Sequence, residues 1–273
     1  MDIVLVPWSG CRPSDVEKMK ASSLGPRSVL KPLRHVIRKG YRKLGYDLFR
    51  WPPLLEELDG HLSGLLPRLS VNCVLDVGAH WGEYASSLRA LGYEGRIVSF
   101  EPVHDNAVCL RARASGDSRW IVKEMALGRL SGRKLLNVPG DTVLASFLDP
   151  TEFALENFAD SAPLRQEEVV VSRVDEILDE CTTGIDLPRV YLKMDTQGWD
   201  LEVFAGASGR VDQIVALQSE LSVVAIGEGM PTYLQALAEY QQHGFELTGL
   251  YPIARDKRAR IIEFDAVMVR PGT

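Results

Sequence analysis

The sequence predicts an α/β fold, in which helices cover both faces of a mostly parallel sheet that ends in an antiparallel hairpin. An apolar run ending in an acid, Val74-Leu75-Asp76-Val77, is followed by glycines at 78 and 82 and then by a helix-like segment. Apolar strand-like runs and helical segments alternate over most of the chain after residue 71. Near the end, two strand-like runs are joined by the short polar turn 254–259, which forces an antiparallel hairpin.

The individual elements follow from the apolar spacing. An amphipathic helix is predicted over 54–66, after the break at Pro52-Pro53, and is expected to cover one face of the sheet. The next predictions are, in chain order, a strand at 73–77, a helix at 82–91, a strand at 96–101, a helix at 103–115 and a strand at 120–126. An insertion at 133–174 is predicted to carry strands at 134–138 and 168–172 with a helix near 151–159, and to lie over one end of the sheet. The remaining predictions are strands at 189–195 and 213–219, helices from Gly198 and at 232–243, and hairpin strands at 245–251 and 260–270.

Composition is typical of a globular protein: 45% of the 273 residues are hydrophobic and 25% are charged. The four cysteines are far apart and form no C-x-x-C pair, which argues against a zinc site or a disulfide framework and indicates a reducing compartment. No apolar run approaches the roughly 18 residues of a membrane span. We therefore expect a cytoplasmic protein without a membrane span. The sequence leaves the oligomeric state open, a homo-oligomer included.

Charge separates the chain into two parts. Residues 1–50 carry 11 Lys and Arg against 4 Asp and Glu, whereas residues 51–273 carry 20 against 33. We predict a basic, partly helical N-terminal arm at 1–50 and one domain over 51–273. The arm could contact nucleic acid, anionic lipid or a phosphorylated substrate. A solvated helix face that lies on the acidic domain is the favoured interpretation.

Glycine spacing after the first strand predicts the cofactor. Gly78 and Gly82 are spaced G-x-x-x-G, and His80 stands where a dinucleotide fingerprint would have its second glycine. A pyrophosphate needs that close backbone approach, but the uncharged linkage within S-adenosylmethionine does not. Glu101, 23 residues after Gly78, ends the second strand and is expected to accept hydrogen bonds from ribose hydroxyls. The simplest alternative is a strand–turn–helix without a ligand.

Five blocks of the chain, in order, resemble the FkbM family of S-adenosylmethionine-dependent methyltransferases. The blocks are VLDVGAHWGEY from Val74, IVSFEPV from Ile97, ALG from Ala126, YLKMDTQGWDLEVFAGA from Tyr191 and LQSELSV from Leu217. The resemblance implies a class I, Rossmann-like methyltransferase fold and O-methylation of a hydroxyl on a sugar, glycolipid, polyketide or other secondary metabolite. The chain departs from the family pattern at His80, where Asn is usual, and at Gln197, where many members have Glu.

The resemblance also implies where the cofactor binds. Asp76 would organise the glycine loop and the amino group of the methionyl part, which would lie against backbone at Gly78, Ala79 and Gly82. Glu83 and Tyr84 begin a helix whose N-terminal amides can receive the cofactor carboxylate. The other residues expected at the cofactor are His80, Glu101 and Pro102 in the loops and Met125, Ala126 and Leu127 beside the adenine ring.

Two acids, Asp195 and Glu220, stand at the ends of neighbouring predicted strands, in the crevice where open α/β sheets bind ligands. Either one can act as a base toward a hydroxyl, and together with the Gln197 carbonyl they could hold Mg²⁺. Direct base or substrate-positioning action is slightly favoured over metal binding. Lys193 is expected to pair with one acid and keep it ionised. Asp195 could instead cap the helix that follows it.

Other side chains and other functions are weighed against this prediction. His104 and His243 are discounted as bases, and Trp199 could equally stack on a substrate ring or pack in the core. An RNA methyltransferase that uses the basic arm is disfavoured, because the rest of the chain is strongly acidic and has no N-P-P-Y-like motif. The glycine spacing and the hairpin argue against a nicotinamide oxidoreductase. A non-catalytic S-adenosylmethionine-binding protein is the remaining alternative. We expect a small-molecule hydroxyl acceptor and no nucleic acid.

Overall fold

The computed structural model of the protein describes residues 57–158 and 160–272. The predicted basic arm at 1–50 lies outside these residues. The central feature of the fold is a seven-stranded sheet in the order β3-β2-β1-β7-β8-β10-β9. In that order the strands are β3 (Trp120–Lys123), β2 (Arg96–Phe100), β1 (Cys73–Val77), β7 (Val190–Met194), β8 (Ile214–Ser222), β10 (Ile261–Val269) and β9 (Glu246–Arg255).

Strand directions agree with the prediction. β3, β2, β1, β7 and β8 pair in parallel, and β10 pairs antiparallel with both β8 and β9. Every residue of β1 and β7 is buried, because helices cover both faces of a parallel sheet. The mostly parallel sheet with an antiparallel C-terminal hairpin is therefore confirmed.

Seven helices accompany the strands in the described residues. They are α1 (Leu58–Arg68), α2 (Glu83–Ala90), α3 (His104–Ala114), α4 (Glu152–Asn157), α5 (Val174–Cys181), α6 (Asp200–Ala205) and α7 (Tyr233–Gln242). α1 packs Leu62, Leu65 and Leu66 against Val74 of β1 and its neighbours, which confirms the predicted cover of one sheet face. A capping box between Thr232 and Gln235 fixes the start of α7.

A second, smaller sheet lies outside the main one, in the order β4-β6-β5. Its strands are β4 (Ala126–Leu127), β6 (Pro163–Ser172) and β5 (Gly132–Pro139). β5 and β6 form an antiparallel pair and contain the two runs predicted as strands in the insertion. Short 3₁₀ turns at Thr142–Leu144 and Ser208–Gln213 complete the described elements.

Two element predictions are corrected. The strand predicted at 120–126 ends at Lys123, because the chain turns there and Met125 N–H bonds back to the Lys123 carbonyl at 3.1 Å. Ala126 and Leu127 then pair with β6 in the smaller sheet. Helix α5 was not predicted from the sequence, although its Val174, Leu178 and Cys181 all face the core.

Candidate active site

The loop after β1 is held between the ends of two neighbouring strands. The Phe100 carbonyl at the end of β2 accepts hydrogen bonds from Gly78 N–H at 3.1 Å and Ala79 N–H at 3.0 Å. On the other side, a Cβ on Gly78 would lie 1.8 Å from the Asp195 carbonyl oxygen, and the φ of Gly78 is +75°. Only glycine satisfies both conditions. The loop therefore lies at the carboxyl edge of the sheet, where open α/β sheets bind ligands.

His80 adopts a left-handed backbone conformation in this loop, with a φ of 47°. Asn, Asp and His are the non-glycine residues that most often adopt it, which explains how His replaces the usual Asn. Its N–H donates to Glu101 Oε2 at 2.8 Å, and its ring Nε2 lies 3.0 Å from Thr142 Oγ1. His80 thus links the loop to the acid that ends the next strand.

Glu101 is held by three donors and is only 4% exposed. Besides His80 N–H, its carboxylate accepts bonds from Val103 N–H at 3.0 Å and Asn106 Nδ2 at 3.4 Å. A carboxylate offers about four acceptor positions, so a further donor such as a ribose hydroxyl can still bind. Burial raises the pKa of Glu101 to about 7, although the three hydrogen bonds oppose the shift.

A cavity of about 620 Å³, including the part open to solvent, lies beside Glu101. Seven residues predicted from the sequence line it: Gly78, His80, Glu101, Pro102, Ala126, Leu127 and Asp195. Ten lining residues complete the wall: Val77, Phe100, Leu136, Thr142, Val143, Ala145, Ser146, Phe147, Thr196 and Trp199. The wall combines apolar surface with two carboxyl groups, Glu101 and Asp195, and the part around Glu101 fits an adenine ring attached to a ribose.

Sequence reasoning missed the part of this wall that comes from the insertion. Thr142 donates to Asn106 Oδ1 at 3.1 Å, and Trp81 Nε1 donates to the same oxygen at 3.0 Å. Asn106 therefore joins Glu101, the glycine loop and the insertion into one hydrogen-bond network. No periodic signal marks Asn106, which lies within α3. The polar segment around Thr142 carries a turn signal but no indication of its partner.

Five predicted cofactor residues lie around this cavity rather than on its wall: Ala79, Gly82, Glu83, Tyr84 and Met125. Gly82 has a packing reason of its own, because a Cβ there would lie 2.7 Å from Leu110 and 2.8 Å from Trp120. The Tyr84 hydroxyl donates to Gln218 Oε1 at 2.9 Å. Gly82, Glu83 and Tyr84 thus shape the start of α2 behind the glycine loop, whereas Met125 lies between β3 and β4.

Asp76 is fully buried behind the same loop. Its Oδ2 accepts a bond from Ser99 Oγ at 2.9 Å, and its Oδ1 lies 3.2 Å from Lys193 Nζ. Lys193 is 5% exposed and also lies 3.3 Å from Asp195 Oδ2 and 3.0 Å from the Gly78 carbonyl. The sequence predicted one acidic partner for Lys193, but the ammonium joins two acids and the loop.

Asp195, Gln197 and Glu220 form a hydrogen-bonded cluster next to Lys193. Gln197 Nε2 donates to Glu220 Oε2 at 2.6 Å and to Asp195 Oδ1 at 3.3 Å. The Glu220 carboxyl also hydrogen-bonds Asp195. Asp195 does not cap α6; Asp200 instead accepts the Thr196 N–H at 3.0 Å. The structure therefore does not support the alternative in which Asp195 is only a helix cap.

The two carboxyl groups of this cluster differ in pKa. Burial and the neighbouring Asp195 charge raise the pKa of Glu220 well above its usual range. Burial opposes ionisation of Asp195 too, but Lys193 and the hydrogen bonds hold its pKa below the usual range. The surroundings thus favour Asp195 over Glu220 as the member that ionises. Because Asp195 is 34% exposed and lines the cavity, its carboxylate can reach a bound molecule.

The other side chains considered in the sequence have structural partners. His104 lies at the surface against Glu124, and His243 bonds back to the Glu239 carbonyl. Trp199 lines the cavity, packs 5.1 Å from Phe147 and is also in contact with the core. In the described part of the chain, no group of three or more His, Cys, Asp or Glu side chains is placed to hold a metal ion.

The order of the strands is that of a class I, S-adenosylmethionine-dependent methyltransferase. So is the cavity between the glycine loop and Glu101 at the carboxyl edge of the sheet. The chain belongs to the FkbM methyltransferase family, whose family model, described as the methyltransferase FkbM domain, matches residues 76–247. No curated protein sequence matches the chain. Across the described residues, every helix is too short or too polar to cross a membrane.

Solved structures of three methyltransferases are similar at low sequence identity. An rRNA methylase from Streptococcus thermophilus is 11% identical with a TM-score of 0.42, covering 80% of this chain and 98% of its own. Magnesium protoporphyrin IX methyltransferase from Synechocystis PCC 6803 is 10% identical with a TM-score of 0.43, covering 90% and 86%. The O-methyltransferase TomG from Streptomyces achromogenes is 13% identical with a TM-score of 0.43, covering 94% and 95%. Because the sequence identities and TM-scores are this low, none of the three structures bears on what this chain methylates.

Proposed function

We propose that the protein is an O-methyltransferase that acts on a hydroxyl group of a small molecule. The observation that carries the proposal is the position of the Asp195 carboxyl group, which lines the cavity, accepts a hydrogen bond from Gln197 and pairs with Lys193. A hydroxyl is a poor nucleophile while it keeps its proton, so a carboxylate within hydrogen-bond reach is the group that such a reaction needs.

The cavity beside Glu101 is the proposed binding site of the cofactor. Glu101 would accept ribose hydroxyl bonds, and Pro102, Ala126 and Leu127 would lie along the adenine ring. S-adenosylmethionine, when bound, supplies an electrophilic methyl group. The glycine loop at Gly78, held by Phe100 and by the end of β7, would position the methionyl part.

Asp195 would take the proton of the acceptor hydroxyl as the hydroxyl oxygen bonds to the methyl carbon and the methyl–sulfur bond breaks, which would leave S-adenosylhomocysteine. Lys193 holds Asp195 in one orientation and favours its ionised form, and Glu220 shares a hydrogen bond with it. Gln197 turns its amide nitrogen toward both carboxyl groups, so its carbonyl oxygen faces away from them. That orientation favours proton transfer over a Mg²⁺ site built from these three side chains.

The acidic surroundings also support a small-molecule acceptor over RNA. Glu263 and Asp265 lie close enough to Glu220 to raise its pKa further, and Lys193 is already paired with two acids. Among the 17 described residues that line the cofactor cavity none is Lys or Arg, so its wall offers no cation to a phosphate backbone. The basic arm, through which an RNA methyltransferase would act, lies outside the described residues.

The test is methyl transfer by the Asp195→Asn variant to a panel of hydroxyl compounds and an RNA transcript, with radiolabelled S-adenosylmethionine. We expect wild-type protein to label a hydroxyl compound, and the variant to lose about 10²–10⁴-fold in rate while binding S-adenosylhomocysteine normally. Asp179→Asn, at an exposed ion pair with Arg210, is the matched control and should keep full rate. Wild-type rate in Asp195→Asn, labelling of RNA alone, or loss of activity in EDTA would contradict the proposal.

A further inference from the structure

A second cavity adjoins the cofactor cavity and is walled by the insertion and the loop after β8. It encloses about 420 Å³, including the part open to solvent, and 13 residues line it. The walls come from β5, the 3₁₀ turn, α4 and the start of β6, with Ile226 and Gly227 on the opposite side. β5 and the 3₁₀ turn also line the cofactor cavity, through Leu136, Thr142 and Val143, whereas α4, β6 and the loop after β8 line only the second one.

The chemistry of this second cavity is uniform. None of the 13 described residues that line it carries a charge. Leu144, Leu148, Phe158 and Ile226 give it large apolar surfaces, three prolines add rigid ones, and four neutral polar side chains complete the wall. A charged ligand would lose its hydration there without gaining a partner. The wall fits an uncharged and mainly apolar molecule.

The two cavities meet at the Asp195–Gln197–Glu220 cluster. Ser146 lines both cavities, and its hydroxyl donates to the Gln197 carbonyl of the main chain at 2.9 Å. Asp195 lines the cofactor cavity and Gln197 lines the second one. A ligand in the second cavity would therefore place a hydroxyl next to the proposed base.

Gln197 also carries an unused hydrogen-bond acceptor. Its side chain is buried with an amide nitrogen that faces two carboxyl groups, while its Oε1 has no hydrogen-bond partner among the described residues. A buried polar atom without a partner is costly and rare. An acceptor hydroxyl that approaches Asp195 from the second cavity could donate to this oxygen before transfer.

The far wall of the cavity is fixed to the rest of the domain. Thr151 N–H bonds to the Ile226 carbonyl at 2.9 Å, and Glu228 N–H bonds to the Asp149 carbonyl at 2.7 Å. These bonds join the insertion to the loop after β8, so the cavity has a defined shape without a bound ligand.

We propose that this second cavity is the acceptor site, and that the acceptor is an uncharged, mainly apolar molecule that presents a hydroxyl group to Gln197 and Asp195. This inference rests on the proposed methyltransferase function and narrows it. Sugars, phosphorylated compounds and nucleic acids are expected to be poor acceptors, because the walls offer few hydrogen-bond partners and no charge.

The test uses 1-naphthol as the neutral apolar probe, with 1-naphthyl phosphate and methyl β-D-glucoside as charged and polar counterparts. Binding to the full-length protein, saturated with S-adenosylhomocysteine, is followed by ligand-observed NMR. We expect saturable binding of 1-naphthol and at least about tenfold weaker binding of the other two. Ala154→Phe, which fills the second cavity, should weaken 1-naphthol binding by a similar factor and leave S-adenosylhomocysteine binding within about twofold.

Ala145→Phe is the matched control, because Ala145 lines only the cofactor cavity of the two. The larger side chain at 145 should weaken S-adenosylhomocysteine binding. If Ala154→Phe does not fold, Leu144→Glu tests the same wall by placing a charge there. Absent naphthol binding, equal binding of the phosphate or glucoside, or unchanged naphthol binding in Ala154→Phe (or in Leu144→Glu, where Ala154→Phe does not fold) would overturn the inference. Failure of wild-type protein to bind S-adenosylhomocysteine would instead overturn the proposed function itself.

Discussion

Lys193 and Asp195 form an ion pair at the end of the same strand, with Lys193 Nζ 3.3 Å from Asp195 Oδ2. The same ammonium lies 3.2 Å from Oδ1 of the fully buried Asp76, on the neighbouring strand β1. One side chain therefore neutralises a buried structural acid and sets the ionisation of the proposed base. Because Lys193 Nζ also bonds to the Gly78 carbonyl, it links the glycine loop to the proposed base.

Replacing Lys193 should expose this double role. Lys193→Met leaves the Asp76 carboxylate buried without a cation, which costs about 3–5 kcal/mol of unfolding free energy. Denaturant unfolding followed by circular dichroism measures the loss. The double variant Lys193→Met/Asp76→Asn should recover part of it, because it removes the uncompensated charge. A single variant as stable as wild type would show that Asp76 is not held by this pair.

Cofactor affinity should depend on the ionisation of Glu101. Burial raises its pKa to about 7, and only the carboxylate form keeps all its acceptor positions for ribose hydroxyls. Affinity for S-adenosylhomocysteine should therefore fall as pH falls through 7, by about tenfold between pH 8 and pH 6. Calorimetric titration at the two values checks this. Glu101→Gln is the control and should bind weakly with little pH dependence; a pH-dependent Glu101→Gln would assign the effect to another group.

Asn106 should act on the cofactor through Glu101. Its side chain donates to the Glu101 carboxylate at 3.4 Å and accepts from Thr142 and Trp81. Because hydrogen bonds to a carboxylate lower its pKa, Asn106→Ala should raise the pKa of Glu101. The midpoint of the pH dependence of S-adenosylhomocysteine binding should then shift upward. A purely structural role would lower affinity equally at all pH values.

Gly78 and Gly92 offer a matched pair of substitutions. Both have positive φ, at +75° and +91°. A Cβ on Gly78 would lie 1.8 Å from the Asp195 carbonyl oxygen, whereas a Cβ on Gly92 would meet no other atom within 4 Å. Gly92→Ala should cost about 1–2 kcal/mol of unfolding free energy from the backbone conformation alone. Gly78→Ala should cost clearly more and also weaken cofactor binding. Equal costs for the two variants would contradict the close approach of the loop to β7.

The main sheet could be predicted from the sequence because its strands are continuous apolar runs between turn signals. The run at 73–77 is fully buried and matches β1 residue for residue. The hairpin followed from the shortness of the turn between its strands. Asp195 directly follows β7 as predicted, but Glu220 lies within β8, which continues to Ser222; the two meet because Met194 pairs with Ser219 in the parallel ladder.

The remaining parts of the site depend on contacts that no local pattern encodes. Phe147 and Trp199 come from segments far apart in the chain and meet across the cavity. No element is predicted from the sequence over helix α5, which has only eight residues and begins two residues after strand β6. Glycine at 82 fitted a cofactor loop in the sequence, yet the structure supplies a packing reason in Leu110 and Trp120.

Calorimetric titration of the purified protein with S-adenosylhomocysteine and, in parallel, with NADH tests the central claim most directly. We predict micromolar binding of S-adenosylhomocysteine to wild-type protein, at least about tenfold weaker binding to Glu101→Ala, and no binding of NADH. The affinity should not change when Mg²⁺ is added. Binding of NADH without binding of S-adenosylhomocysteine would contradict the cofactor assignment and the methyl transfer that depends on it.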